Sequence, residues 1–179
     1  MRQWVALLRG INVGGNNLLP MAALRRLGSG LGWQDLRTYI ASGNLVFRAG
    51  GEAAGLAHDL RRAIAAQIGG DVPVIVLPAA ALRAALRACP FDPEAGKRVH
   101  GFFLWSDPVL DSAALERLRA PSERLTVQDR VAWLYAPEGI GRSKLAEKFD
   151  KVVTGTQMTA RNLNTLHKLV EMLDACDAD

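Results

Sequence analysis

The chain has 179 residues, 49% of them hydrophobic, with a formal net charge of +4 at pH 7 and a pI near 9.4. This composition indicates a folded globular protein of one unit or two small halves, and the charge excess is small and dispersed for a nucleic-acid-binding protein. Its two cysteines, Cys89 and Cys176, are too few and too far apart for a disulfide framework or a zinc site. We interpret them as buried or incidental thiols.

The sequence has no pattern typical of a membrane span or a secretory signal. Apolar residues 4–8 are followed directly by Arg9 and lack a small-residue cleavage site. The longest later apolar run, residues 72–82, is interrupted by Pro73 and Pro78 and is shorter than the ~20 residues that a span needs. We therefore expect a cytoplasmic protein without a membrane partner.

The first half of the chain predicts the element order βαββαβ. Strands are expected at residues 4–9, 36–40, 45–48 and 72–77. A first helix should begin at Pro20, and a second is indicated by the i, i+4 spacing of Leu56, Leu60, Ile64 and Ile68. A tight turn at residues 41–44 joins the second and third strands.

The second half is predicted to repeat this order. After a helix at 79–88 and a polar linker at 92–97, we expect a strand at 98–105, a helix capped by Asp111 or Ser112, a hairpin of strands 123–128 and 131–136, a helix at 142–150, a short strand at 151–154 and a last helix at 162–176.

The predicted fold is therefore α+β, with two ferredoxin-like (βαββαβ) halves, each an antiparallel sheet with helices packed on one face. Residues 1–78 would form the N-terminal half, 79–97 the helix and linker, and 98–179 the C-terminal half with its extra helix. In this topology the loop at 10–17 and the turn at 42–44 should be neighbours on one sheet edge. Segments 139–144 and 154–162 should likewise meet in the second half.

The loop after the first strand is rich in Gly and Asn, which tolerate positive φ and offer neutral hydrogen-bonding groups. We identify it, with the neighbouring turn, as a candidate ligand site for a sugar, base or peptide amide. Its residues are Arg9, Asn12, Gly14, Gly15, Asn16, Ser42 and Asn44. The alternative is that these residues only form two tight turns that hydrogen-bond each other.

A second candidate site is basic. Arg142, Ser143 and Lys144 precede a predicted helix, where free N–H groups and two cations suit a phosphate, although the spacing is not that of a Walker A loop. Thr156, Arg161 and Asn162 come from the segment expected to converge on it. The alternative is a well-capped surface helix.

No reaction can be assigned from the sequence. His58, His100 and His167 are not placed with a nucleophile, and no cluster has the spacing of a metal site, so we expect neither a metal nor a cofactor. Trp133 and Tyr135 fall on one strand face and could stack RNA bases, but we interpret them as core or interface residues.

The most distinctive segments are Leu7 to Gly15 (LLRGINVGG) and Thr38 to Asn44 (TYIASGN). With Cys89-Pro90-Phe91, the Trp133-x-Tyr135 strand with residues 139–144 and the Arg161-Asn162 pair, the chain resembles the DUF1697 family of uncharacterised bacterial proteins. The resemblance implies a pair of ferredoxin-like subdomains and no established activity. Leu163 stands where the family commonly has tryptophan. If that ring stacks on a ligand, the contact is lost or altered here; if it only packs, leucine is a modest change in the core.

We therefore carry three hypotheses into the structure. The first is binding of an anionic ligand, namely a nucleotide, a phosphorylated metabolite or a nucleic-acid backbone, through the two loop clusters. The second makes these loops a surface for a protein partner or a homodimer. The third is an enzyme with an unfamiliar site.

Overall fold

A computed structural model describes residues 1–175 and divides them into two compact units. Unit 1 comprises residues 1–84 and 168–175, and unit 2 comprises residues 85–167. The predicted end of the last helix at Cys176 lies outside the described residues. Within them, no helix is both long and apolar enough to cross a membrane.

Unit 1 is built around a four-stranded antiparallel sheet with the strand order β2-β3-β1-β4. Its strands and helices are β1 (Arg2–Leu8), α1 (Met21–Gly30), β2 (Gln34–Tyr39), β3 (Asn44–Ala49), α2 (Ala53–Ile68), β4 (Val74–Pro78) and α3 (Ala79–Ala88), the last of which continues into unit 2. β1 is apolar along both faces because it is a central strand.

One face of this sheet packs against α1 and α2. Leu24, Leu60 and Ile64 from the helices are fully buried in the same cluster as Trp4 and Phe47 from the strands. Burying each such side chain contributes about 1.5–3 kcal/mol. The spacing of these apolar residues is why the two helices could be predicted from sequence.

Helix α2 ends where a glycine can adopt a left-handed conformation. Gly69 has φ 70°, and its N–H donates to the carbonyl oxygen of Ala65 at 2.9 Å, which satisfies an otherwise unpaired carbonyl. The chain then enters β4 through residues 70–73, at the same sheet edge as the end of β1. This edge carries the first candidate site.

Unit 2 also contains a four-stranded antiparallel sheet, with the order β10-β5-β8-β7. Its elements are a 3-10 helix (Pro93–Arg98), β5 (Val99–Leu104), β6 (Val109–Leu110), α4 (Ser112–Leu118), β7 (Arg124–Gln128), β8 (Val131–Tyr135), a second 3-10 helix (Ile140–Arg142), α5 (Lys144–Glu147), α6 (Phe149–Val152), β9 (Val153–Thr154), β10 (Met158–Asn162) and the first residues of α7 (Leu163–Ala175). Phe102 of β5 stacks on Phe149 in the core, with ring centroids 3.8 Å apart.

Two predictions for this unit were wrong. The short strand expected at 151–154 is not the fourth strand of the sheet, because β9 pairs with β6 instead. The fourth strand is β10, which lies in a segment that we predicted to be a loop. The buried positions of β10 are the polar Thr159 and Arg161, whereas Met158 and Ala160 are only partly buried, so the sequence shows no apolar inward face that would indicate a strand.

The helix predicted at 142–150 is also broken into three pieces. Residues 140–142 form a 3-10 turn, and α5 and α6 are separated at Lys148, whose φ of −112° and ψ of 32° are not helical. The polar stretch predicted as a linker forms a 3-10 helix whose N-terminus is capped by Asp92. Leu145 and Phe149 are nevertheless both buried in the core of unit 2.

Candidate functional site

The Gly- and Asn-rich loop after β1 is a miniature hairpin. Val13 and Asn16 form an antiparallel bridge, and the Asn16 N–H donates to the Val13 carbonyl oxygen at 3.0 Å. Gly14 and Gly15 at its tip have φ of 59° and 79°, which is the signature of a type I′ turn. The loop is therefore ordered by its own backbone, and its tip is exposed.

Asn12 holds this hairpin against the β2–β3 turn. Its two amide hydrogens donate to the carbonyl oxygens of Leu19 at 3.0 Å and Ala41 at 2.8 Å, and its side-chain oxygen accepts from the Leu19 N–H at 2.8 Å. The predicted neighbourhood of the two loops is therefore present. Both donors of the Asn12 amide are used within the protein.

The side-chain amides of Asn44 and Asn17 also bind other groups of the chain. Asn44 is fully buried and donates to the carbonyl oxygen of Tyr39 and the hydroxyl of Ser42, both at 3.0 Å. Asn17 donates to the Gly10 carbonyl oxygen at 3.0 Å. These contacts match the alternative that Asn and Gly form two mutually bonded turns. They leave Arg9, Gly14, Gly15 and Asn16 as the exposed members of the predicted site.

Three large, exposed apolar side chains are next in the sequence to the residues that the Asn12 side chain joins. Val13 follows Asn12, Leu18 precedes Leu19, and Ile40 precedes Ala41, so each adjoins a residue of this Asn12 clamp. Their exposed fractions are 65%, 66% and 51%. The Arg9 guanidinium, at the end of β1, makes no hydrogen bond or ion pair within residues 1–175. We call Arg9, Val13, Leu18 and Ile40 the exposed edge of unit 1.

Ile40 is also conformationally strained. Its φ is 48°, in the left-handed region that β-branched residues rarely adopt. Holding a residue there costs on the order of 1–3 kcal/mol, and such strain is concentrated at functional sites. The sequence analysis did not select Ile40, because nothing in a single sequence distinguishes it from an ordinary strand residue.

The basic candidate residues of unit 2 separate into two kinds. Ser143 is buried, and its Oγ accepts from the Ala146 N–H at 2.9 Å, so it caps α5 as the alternative interpretation required. Arg142 and Lys144 are exposed on either side of it and have no partner among the described residues. Of the residues predicted for this site, Arg142 and Lys144 are the exposed cations that could meet an external anion.

Thr156 lies just before the start of β10, and Asn162 is the last residue of that strand, at its opposite end. Thr156 Oγ1 accepts from the Ser106 N–H at 2.9 Å, whereas Asn162 pairs with His100 at the other end of β5. Six residues of extended chain span roughly 20 Å. The strand therefore keeps Thr156 apart from Asn162, and these two predicted residues do not belong to one cluster. The Asn162 side chain caps α7 by accepting from the Thr165 N–H at 2.9 Å.

Arg161 is buried, with 8% of its surface exposed. Its Nη1 donates to Thr159 Oγ1 at 2.9 Å and to the Ala160 carbonyl oxygen at 2.8 Å. Burial lowers the pKa of this guanidinium to about 10, so it still carries its charge at neutral pH. A phosphate would have to reach it below the surface.

The histidines do not form a catalytic group. His58 is exposed on α2, and burial lowers the pKa of His100, whose Nδ1 has no hydrogen-bond partner in the described structure. Within residues 1–175, no three His, Cys, Asp or Glu side chains are grouped so that they could hold a metal ion.

A concave site that the sequence analysis missed lies in unit 2. Phe91 and Tyr135 stack with ring centroids 5.6 Å apart, beside a cavity of about 360 Å³ that Arg98 also lines. The available signal was the pair of motifs Cys89-Pro90-Phe91 and Trp133-x-Tyr135. Periodicity could not show that these motifs meet.

Comparison with known proteins agrees with this structure. The fold is similar to that of conserved bacterial protein SP0830 from Streptococcus pneumoniae, with a TM-score of 0.73 and 28% sequence identity over 96% of this chain and 98% of that one. No curated protein matches the chain. The family model described as "Protein of unknown function (DUF1697)" matches residues 1–133. Because that match covers most of the chain, the protein belongs to the DUF1697 family.

Proposed function

We propose that this chain is a binding protein that docks another protein through the exposed edge of unit 1. The observation that supports this proposal is the position of three exposed apolar side chains next in the sequence to the residues of the Asn12 clamp, with the strained Ile40 among them. Fully burying an exposed valine, leucine or isoleucine side chain is favourable by about 1.5–3 kcal/mol. The side-chain amides of Asn12 and Asn44 are bound within the chain itself, so that among the predicted asparagines Asn16 keeps an unbound amide within residues 1–175.

The charge at this edge indicates the chemistry of the partner. Arg9 is unpaired, and the nearby Asp71 is already bound by Arg61 on two atoms. In a symmetric contact between two copies, the same patch would have to supply the carboxylate that faces Arg9, and none of the four residues of the exposed edge is acidic. A different protein with an apolar surface and a carboxylate facing Arg9 fits better.

Site-specific photo-crosslinking tests this function in the cell that produces the protein. A crosslinking amino acid placed at Leu18 or at Ile40 should give one shared adduct, which disappears when Arg9→Glu is introduced. Val109 of unit 2 is the matched control, because it is apolar and 64% exposed. The same adduct at Val109, persistence in Arg9→Glu, or an adduct of twice the chain's mass would contradict the proposal.

A second candidate function is binding of a phosphorylated ligand or a nucleic-acid backbone at Arg142 and Lys144. It is favoured by the exposure of these two cations beside the capped N-terminus of α5 and by their lack of partners among residues 1–175. Affinity for a single-stranded oligonucleotide should then fall steeply with salt and fall further in Arg142→Ala. Equal affinity of the variant would remove this candidate.

We also infer that the chain is a duplicated ferredoxin-like protein that acts in the cytoplasm, with halves close to the predicted 1–78 and 98–179. The support is that both four-stranded sheets follow one spatial plan, in which the first and third strands of each set are central. The two sets share no residue pattern, so the inference rests on strand order.

A further inference from the structure

The groove in unit 2 is built by two distant segments of the chain. Phe91 comes from the segment before β5, and Tyr135 is the last residue of β8. Their rings lie 5.6 Å apart at an angle of 28° and form one aromatic wall of the cavity. Both rings are only partly buried.

The first 3-10 helix (Pro93–Arg98), which lines the rest of the groove, is held in place by hydrogen bonds. Asp92 accepts a hydrogen bond from the Glu94 N–H at 2.9 Å and starts the 3-10 helix, whose last residue, Arg98, accepts from the Ala136 N–H at 2.8 Å through its carbonyl oxygen. Gly96 sits in the middle at φ 56°, and a Cβ there would lie 3.0 Å from Asn164 Oδ1. These contacts preorganise the groove before any ligand arrives.

The polar groups of the groove carry both charges, and Asp92, whose Oδ1 already accepts from the Glu94 N–H at 2.9 Å, contributes a carboxylate to the lining beside that of Glu94. The Arg98 guanidinium is exposed and unpaired within the described chain, and the Glu94 carboxylate is likewise without a partner. Arginine suits a phosphate, since its fork binds two oxygens at once. A carboxylate suits the exocyclic amino group of a nucleobase, which needs an acceptor.

We propose that this groove binds a mononucleotide, with its base stacked on Phe91 and Tyr135 and its phosphate on Arg98. Aromatic side chains stack bases of any sequence because every base offers a π face. A volume of about 360 Å³ is near the lower end of the 300–1,000 Å³ typical of small-molecule sites, which suits one nucleotide and is too small for a dinucleotide. Glu94 would accept from the base amino group.

Calorimetric titration of the full chain with AMP, adenosine and inorganic phosphate tests the assignment. AMP should bind at least about tenfold more tightly than either fragment, because it alone uses both the aromatic wall and the guanidinium. Arg98→Ala should reduce AMP affinity to that of adenosine. Lys97→Ala is the matched control, since this adjacent exposed cation does not line the groove, and it should leave AMP binding unchanged.

The stacking half of the proposal needs its own variants. Phe91→Leu should weaken AMP and adenosine by the same factor, whereas Tyr135→Phe, which keeps the ring, should leave both unchanged; circular dichroism checks that each variant is folded. Absence of AMP binding, or equal AMP affinity in Arg98→Ala and the parent chain, would overturn the proposal. Arg9→Glu should not alter AMP binding and Arg98→Ala should not alter the Leu18 adduct, so this site and the docking function can fail separately.

Discussion

The side chain of Asn12 donates to the carbonyl oxygen of Ala41 at 2.8 Å and so joins two segments that are 29 positions apart in the chain. The same amide binds Leu19 on both its donor and its acceptor side. One residue therefore fixes the hairpin after β1, the start of α1 and the β2–β3 turn. It also sets the positions of the exposed apolar residues beside each of them.

Asn12→Ala should destabilise the protein by about 2 kcal/mol, since it removes three hydrogen bonds that each contribute about 0.5–1.5 kcal/mol net. Urea unfolding followed by circular dichroism measures this loss. Asn16→Ala is the control, because Asn16 is exposed at the hairpin tip and its side chain has no partner within residues 1–175. Equal stability of the two variants would argue that Asn12 is not a structural clamp.

Gly43→Ala should be one of the most damaging substitutions in unit 1. Gly43 has φ 80°, and an added Cβ would lie 2.6 Å from the Leu8 Cβ and 2.9 Å from Ile11 Cδ1, in a fully packed region. We expect a loss of about 2 kcal/mol or more from strain and overpacking together. Gly50→Ala, which meets nothing within 4 Å, should change the unfolding free energy little.

Ile40→Asn should stabilise the fold while weakening partner docking. Asparagine tolerates the left-handed conformation, so the variant relieves part of the strain at φ 48°. A gain of about 1 kcal/mol would raise the melting temperature by roughly 2–4 °C in a chain of this size. Leu31→Asn, at an exposed residue with φ of −83°, provides the comparison and should give no such gain.

Ser143→Ala should cost about 1 kcal/mol, the usual value of an N-terminal helix cap. The same loss is expected for Asp111→Ala, whose carboxylate accepts from the Ala114 N–H at 2.9 Å and caps α4. Thermal unfolding compares the two. If Ser143→Ala left stability intact, its buried hydroxyl would be better explained by the ligand-binding role first predicted for it.

His100 should make unit 2 less stable in mild acid. Burial lowers the pKa of this imidazole in the folded state, so the unfolded chain takes up a proton more readily. The stability contribution of the neutral ring is therefore complete above the unfolded pKa of about 6.5 and is lost as the pH falls below it. His100→Gln should flatten this part of the stability profile between pH 7.5 and 5.5, and an unchanged slope would contradict the assignment.

The sequence by itself was sufficient to predict those strands and helices whose apolar residues recur at a regular local spacing. The alternating and i, i+4 apolar residues of β1, β3 and α2 decide which face is buried, because that face must leave water wherever the element packs. The family could likewise be read from short motifs. The strand β10 was missed because its buried positions carry the polar Thr159 and Arg161, and only the pairing with β5 shows that the segment is a strand.

The candidate site could not be predicted fully, because the sequence does not show which groups the fold brings into hydrogen-bonding distance. Asparagine can serve a turn or a ligand equally well, and the sequence alone does not show that the amides of Asn12 and Asn44 donate to the carbonyl oxygens of Ala41 and Tyr39. The burial of Arg161, the strain at Ile40 and the meeting of Phe91 with Tyr135 arise in the same way. Residue type and local spacing therefore determined most of this protein's helices and strands, and its family. The tertiary structure alone decided which polar groups are hydrogen-bonded inside the fold and which remain exposed, because hydrogen bonding and burial are satisfied between segments far apart in the chain.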